Sequence, residues 1–450
     1  MLSQALWIAL YAVPQLAVAL ATEQQPFQLP HVDASHATQS GVLRRFSGSR
    51  ETVYEVLETA ESDGLDIWQV HAGDEPYVDI YIPGDLPRNL LTLPHSLSNV
   101  SYSPDPVRAA TEWDLSSLQN TTFHDVYHSQ TDVDAFLRQL ADLNPGVVEV
   151  VELGHSAEGR EMLGLKISKP TNTTKLGFVL MGPQHAREWV ATSTALYFAH
   201  ALLVDPSEPG SMAYLLDTYE FHIIPSPNPD GYVYTWSADR FWYKNRQIVG
   251  PGAKCIGIDM NRNWGFKWKA HSDSPLFKKK SKQPADPCSH WYPGHRAFEA
   301  AEVTNVANYL TKINGIWKGS GKGGVVAFVD LRSFGQMLAA PYSYNCAKLP
   351  KDAEDQMEAL HGAAQAGRSV HGTGFTSGSL CELLYTAPGN ILDYVYRRAG
   401  IKYTYAAFLR DTGTYGFALP ATWIRPVGEE SGEIVAYIAK FVAKQRGIEI

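Results

Sequence analysis

The stretch GPQHAREWV sets His185 three residues before Glu188, directly after an apolar run that ends at Gly182. An imidazole nitrogen and a carboxylate oxygen at that spacing, at the entrance of a helix, can grip one zinc ion together. By itself H-x-x-E is a weak signal, because surface helices often carry such a pair; the strand before it gives it weight. A second apolar stretch, GIDMNRNWGF, ends in Asp259, Asn261, Arg262 and Asn263, where the rigid fork of Arg262 can receive a carboxylate in bidentate fashion. A third, VVAFVDLRSFGQ, delivers Arg332 at its end. A guanidinium stays protonated at ordinary pH and has no lone pair for a metal, so Arg332 brings charge without ligation. Near the C-terminus, GIKYTYAAFLRDTGTYGFALP holds Phe408, Leu409, Arg410 and Asp411.

Such groups need elements that bring them together. TDVDAFLRQLADLNP predicts a capped amphipathic helix stopped near Pro145, followed by strands at Val147 to Leu153 and Lys175 to Gly182. Apolar strand runs then alternate with helical patterns such as WVATSTALYFAHALL and RAFEAAEVTNVANYLTKI. That alternation indicates an α/β domain with a largely buried sheet and helices on both faces. Sites in such folds gather at strand ends and in the loops beyond them. Upstream, Val42 to Leu86 contain shorter alternating pieces, GLDIWQVHAG and PYVDIYIP, which fit a small α+β domain. Residues 98 to 122 turn polar and proline-punctuated, as a linker would.

A chain of 450 residues with 44% hydrophobic content has room for more than one domain. Its formal net charge of −9 lacks the basic footprint of a nucleic-acid binder, and the one lysine run, KKKSK at 278 to 282, reads as a solvated loop. GSGKGG at 319 to 324 precedes a strand and lacks a phosphate-loop ending, and no G-x-S-x-G elbow occurs. Residues 1–21 are apolar and end in Ala19-Leu20-Ala21, as an export signal does; Pro14 and the absence of a basic stop argue against a stable membrane anchor. In an oxidising compartment Cys255, Cys288, Cys346 and Cys381 allow three pairings, of which the two local ones close modest loops. Asn120 and Asn172 head N-x-T glycosylation acceptors that suit the same compartment.

Together these residues resemble the zinc carboxypeptidases of the carboxypeptidase A/B type. HAREW (185 to 189), IDMNRNW (258 to 264), LLYTAPGNILDY (383 to 394) and LRDTGTYGFALP (409 to 420) stand in that family's order and approximate spacing, and the likeness covers about residues 40 to 445. The resemblance implies a mixed, mostly buried, eight-stranded twisted sheet with helices on both faces over residues 123–450. It also implies an activation-type prosegment over residues 22–122, a small α+β domain at about 42–97 plus the linker. Cys255 and Cys288 correspond to the family's usual disulfide. His185 and Glu188 match two zinc ligands. Arg187, Asn261, Arg262 and Tyr385 match positions that hold the substrate's C-terminal carboxylate, and Leu392, with Leu380, Leu384 and Ala406, implies an apolar pocket for the last side chain.

The departures fall on the chemistry. Arg332 stands where the family places its third ligand, a histidine; Phe408 stands at the general-base glutamate; Tyr243 stands at the oxyanion arginine. A phenyl ring cannot exchange a proton with water. A phenol donates one hydrogen bond but supplies no charge, and losing one oxyanion donor already costs roughly 10²- to 10³-fold. The expectation is therefore weak or absent zinc, with Arg332 filling the metal position, paired to Glu188 beneath Phe408. The chain reads as a secreted, monomeric, catalytically inactive homologue that retains binding of peptide C-termini with an apolar last residue. The alternatives are an active zinc carboxypeptidase releasing C-terminal hydrophobic residues, and an interaction or structural protein with a blocked cleft. Arg108 is the only basic residue between Val100 and Thr122, so the prosegment lacks a dibasic cut site and is expected to stay over the cleft.

Overall fold

The computed structural model describes residues 39–82, 90, 95–102, 113–171, 174–270, 285–319 and 324–450. The export signal at 1–21, Arg108, Asn172 and the lysine run lie outside the described residues. The leading part is a four-stranded antiparallel sheet, order β2-β3-β1-β4, built from β1 (Gln39–Ser47), β2 (Asp66–His71), β3 (Tyr77–Ile82) and β4 (His95–Tyr102). Helix α1 (Arg50–Ser62) connects the first two strands. It starts at Ser49, whose hydroxyl accepts the Thr52 N–H at 3.2 Å, and it buries Val53, Val56, Leu57 and Ala60 against the sheet. The boundary read from sequence at residue 97 shifts, because β4 pairs with β1 through Tyr102. As an edge strand with exposed Ser96, Leu97 and Asn99 it shows little of the alternation that marks a strand in sequence.

On β2, four successive residues from Ile67 to Val70 are buried, so both faces of this strand are covered. One face packs on α1. Trp68, on the other, stacks with Tyr81 at 5.0 Å between ring centroids and meets Phe241 and Phe417 of the larger part at 4.9 and 5.0 Å.

The larger part opens with α2 (Gln130–Leu143), whose N-terminus is closed by a capping box between Ser129 and Asp132. Its eight-stranded sheet has the order β11-β10-β12-β9-β7-β8-β6-β5. The strands are β5 (Val148–His155), β6 (Glu161–Ile167), β7 (Leu176–Met181), β8 (Tyr219–Ile224), β9 (Val325–Arg332), β10 (Met337–Ala340), β11 (Thr376–Ser379) and β12 (Tyr403–Phe408). The central run β12-β9-β7-β8 is parallel and is flanked by the antiparallel pairs β10-β12 and β8-β6; beyond them β11 runs parallel to β10 and β5 antiparallel to β6. Every residue of β7, β9 and β12 is buried, as a sheet covered on both faces requires. Side chains alternate between two cores: Phe178, Leu180, Val329 and Leu331 join one, with α3 (Trp189–Ala201) and α7 (Ile424–Lys444). Val179, Met181 and Phe328 join the other, with α5 (Ala301–Gly319). The remaining long helices are α4 (Pro229–Ser237) and α6 (Ala353–His371). Among the described residues no helix is long and apolar enough to cross a membrane.

Candidate functional site

Parallel pairing collects the chemistry at one end of the sheet. Met181 of β7 lies beside Asp330 of β9, and Arg332 of β9 lies beside Phe408 of β12, so all three strands open on the same side. At Gly182 a Cβ would sit 2.0 Å from the Pro225 carbonyl oxygen, so only glycine lets the chain leave β7 against the neighbouring loop. The loop that follows carries Gln184, His185, Arg187 and Glu188 to the mouth of α3, all of them buried.

Arg332 binds Glu188 with two parallel bonds, Nε to Oε2 at 2.9 Å and Nη2 to Oε1 at 2.8 Å. The Ser333 N–H adds a third at 3.0 Å, and Nη2 also meets His185 Nδ1. His185 Nε2 faces Asp259 Oδ1 at 2.9 Å. One tautomer satisfies the ring: Nε2–H donates to Asp259 and Nδ1 accepts from the guanidinium. Burial pushes the Glu188 carboxyl up, but Arg332 and His185 more than offset it and hold it at about 2. Burial likewise opposes ionisation of Asp259, and His185 and Arg262 overcome it.

This donor set does not fit zinc. The lone pairs of His185 Nδ1 and Glu188 already accept N–H groups from Arg332, and a fixed positive charge stands where a third ligand would have to be. Among the described residues no group of three or more His, Cys, Asp or Glu side chains is placed to hold a metal ion.

The other two altered positions close around that pair. The Phe408 ring centroid lies 5.7 Å from the Arg332 Cζ. The Tyr243 ring is stacked between His185 at 3.7 Å and His290 at 3.8 Å, and its hydroxyl reaches Asp259 only at 3.5 Å. Burial, reinforced by Asp259, pushes that phenol well up, so it remains a neutral donor. His290 was not legible from sequence; burial and the neighbouring Arg187 hold it well below the usual imidazole range. Asp330 was missed too. It lies beneath Arg332, 3.6 Å from Nη1, and one of its oxygens has no hydrogen-bond partner. Burial raises its carboxyl to about 7.

The residues that the family resemblance assigns to a substrate carboxylate are engaged internally. Arg262 donates to the Tyr385 hydroxyl at 3.0 Å and to the Asn261 carbonyl at 2.9 Å, and the Asn261 side chain accepts the Ile391 N–H at 3.1 Å. Arg187 donates to Asp66 at 2.6 Å and to the Ile67 carbonyl at 2.9 Å, both on β2. Gln69 of the same strand donates to the Phe334 carbonyl at 3.2 Å. Leu392 packs in one apolar cluster with Leu380, Leu384, Ala406 and Phe408, and unlike Leu380 and Leu384 it does not line the cavity at the site. That cavity, walled in part by Trp68 and Val70, holds about 70 Å³. Ligand pockets hold about 300–1,000 Å³.

Outside the site, Arg410 makes two hydrogen bonds to Glu430, and Asp411 accepts the N–H groups of Gly413, Tyr415 and Gly416. Cys255 is bonded to Cys288 and Cys346 to Cys381. Asn120 is exposed.

Comparison with known proteins places this geometry. The family model described as zinc carboxypeptidase matches residues 133–433. The inactive metallocarboxypeptidase ECM14 of Ajellomyces dermatitidis is 31% identical, over 95% of this chain and 76% of its own. A metallocarboxypeptidase A-like protein of Trichophyton verrucosum is 33% identical, over 82% of this chain and 86% of its own. Among solved structures, thrombin-activatable fibrinolysis inhibitor overlays with a TM-score of 0.75 at 27% identity, covering 90% of this chain and 99% of that one. Carboxypeptidase A from Helicoverpa armigera gives 0.72 at 25% identity, over 90% and 98%. With its eight-stranded sheet, its site at the strand ends and its ordered motifs, the chain belongs to the zinc carboxypeptidase family, with a degenerate catalytic constellation.

Proposed function

We propose that this chain is a non-catalytic carboxypeptidase homologue, exported from the cell, whose small four-stranded domain stays associated with the larger one and closes its cleft through β2. The observation that carries this is the pair of hydrogen bonds from Arg332 to Glu188, with His185 accepting from the same guanidinium. The Nδ1 of His185 and the carboxylate of Glu188 are turned to a guanidinium instead of a metal, and Phe408 offers no base. Kinship to relatives named inactive supports the same reading. The test combines metal analysis of the purified chain with hydrolysis of N-blocked dipeptides ending in Phe or Leu. Neither bound zinc nor release is expected; stoichiometric zinc with chelator-sensitive release would make it the active enzyme.

A second reading, capture of peptide C-termini, is favoured by Arg262 and Tyr385, which keep a cation and a phenol together at the cavity wall. A carboxylate entering there would meet the charged fork of Arg262. It requires the small domain to be displaced. In Trp68→Ala, a peptide ending in Leu should bind more tightly than in the parent chain, and its C-terminal amide should not bind; equal binding of acid and amide removes this reading.

A further inference from the structure

A further glycosylation acceptor triplet, of the N-x-S type, stands at Asn99-Val100-Ser101, inside edge strand β4 (HSLSNVSY). Such a triplet recurs by chance in any long chain; its place in the fold gives this one meaning. Val100 is 2% exposed and packs with Trp68, Tyr81 and Phe417 in the apolar cluster at the seam between the two parts. Successive side chains of a strand point to opposite faces, so Asn99 turns away from the larger part, and it is exposed. A glycan at Asn99 therefore leaves the docked face of the small domain free.

The face that Asn99 occupies lacks a cover. Leu97 precedes it by two residues on that face and is 59% exposed. Two residues of a strand span about 6.6 Å, a distance that the first sugars of a glycan bridge. Among the described residues β4 has one neighbouring strand, β1, so its other side is an open sheet edge. Edge strands are commonly guarded by charged side chains, lysine above all, or by proline; HSLSNVSY contains no Lys, Arg, Asp, Glu or Pro.

We propose that Asn99 carries an N-linked glycan that covers Leu97 and keeps the open edge of β4 from pairing with a second copy of the chain. This rests on the export reading, because the sugar donor, an oligosaccharide on a polyprenyl diphosphate, is met in the export compartment. Asn99 Nδ2 attacks the anomeric carbon of the first sugar and a C–N bond forms. The bond from that carbon to the diphosphate oxygen breaks, polyprenyl diphosphate leaves with the electron pair, and the amide gives up one proton. The bulky, hydrated product takes the place of the missing charges.

The test is secretion of the full chain by a eukaryotic host, release of its glycans by an amidase in heavy-oxygen water, and peptide mass spectrometry. A labelled aspartate at position 99 is expected. Asn99→Gln should lose one glycan and self-associate at a concentration at least tenfold lower by sedimentation velocity, as should Ser101→Ala, which keeps the asparagine but breaks the triplet; Asn120→Gln should not. Enzymatic removal of glycans from the folded parent chain should have the same effect without any substitution. Leu97→Lys added to Asn99→Gln should restore the monomer, because a charge on the edge opposes strand pairing. A secreted chain with unmodified Asn99 would overturn the proposal and leave export standing, whereas a chain retained in the cell with no glycan at any acceptor would overturn both. A glycan at Asn99 whose removal leaves association unchanged would also overturn it, since the edge then needs no cover.

Discussion

Truncating Arg332 to alanine would remove both charge-assisted bonds to the buried Glu188 carboxylate and leave it the Ser333 N–H. Breaking a buried pair in this way costs about 3–5 kcal/mol, so urea denaturation of Arg332→Ala should show a loss of that order. Unchanged stability would mean that the pair does not hold the site together. Arg332→His recreates the family's third ligand, yet hydrolysis should stay at background, because Phe408 cannot exchange a proton. A second residue-scale expectation concerns His124 and His200, buried side by side with Nε2 and Nδ1 3.1 Å apart. Burial, and for His124 the charge of its neighbours, lowers both below the ordinary imidazole value of 6.5. The folded state keeps them neutral, so below about pH 6.5 the unfolded chain takes up protons first and stability falls as pH drops. Denaturation at pH 7.5, 6.5 and 5.5 should show that fall, and His124→Gln should flatten it. At this scale the sequence exposed Arg332, Phe408 and Tyr243, because each replaces a known chemistry by an incapable one. Asp330 and His290 carried no such signal, since their roles follow from what is packed on them.

Among the elements, β2 does the most for its length. Trp68 sits among Tyr81, Phe241 and Phe417, and Gln69 and Asp66 bond across to the larger part. Trp68→Ala should cost about 3–5 kcal/mol. It should also make the 22–122 segment more sensitive to limited proteolysis. Ser129→Ala, which opens the capping box of α2, should cost only about 1 kcal/mol and leave that sensitivity unchanged. The pair of variants separates docking of the small domain from general weakening. Helix α2 and strands β7 and β9 were legible because their caps and apolar runs are local. Edge strand β4 was not, because HSLSNVSY has one neighbouring strand and exposes Ser96, Leu97 and Asn99.

Across the whole molecule, the apolar clusters cross the seam between the two parts. Trp291 and Tyr385 pack with the core under α1, and Leu43, Trp68, Tyr81 and Val100 pack with Phe241, Phe334 and Phe417. Surfaces shared this way should melt together, so calorimetry is expected to give one transition; two resolved transitions would show that the seam contributes little. The sequence by itself determined the sheet-and-helix plan and the loss of chemistry. Periodicity is local, and no environment gives arginine a lone pair or phenylalanine a basic site. Only the tertiary structure decided what the lost chemistry became. His185 and Glu188 share one segment while Asp259 and Arg332 come from two others, and which of them share a proton or a charge depends on distances that the packing of those segments sets. It also decided that Arg187 faces Asp66 of the small domain, because that partner is over a hundred residues away in the chain and reaches it only through the packing of β2.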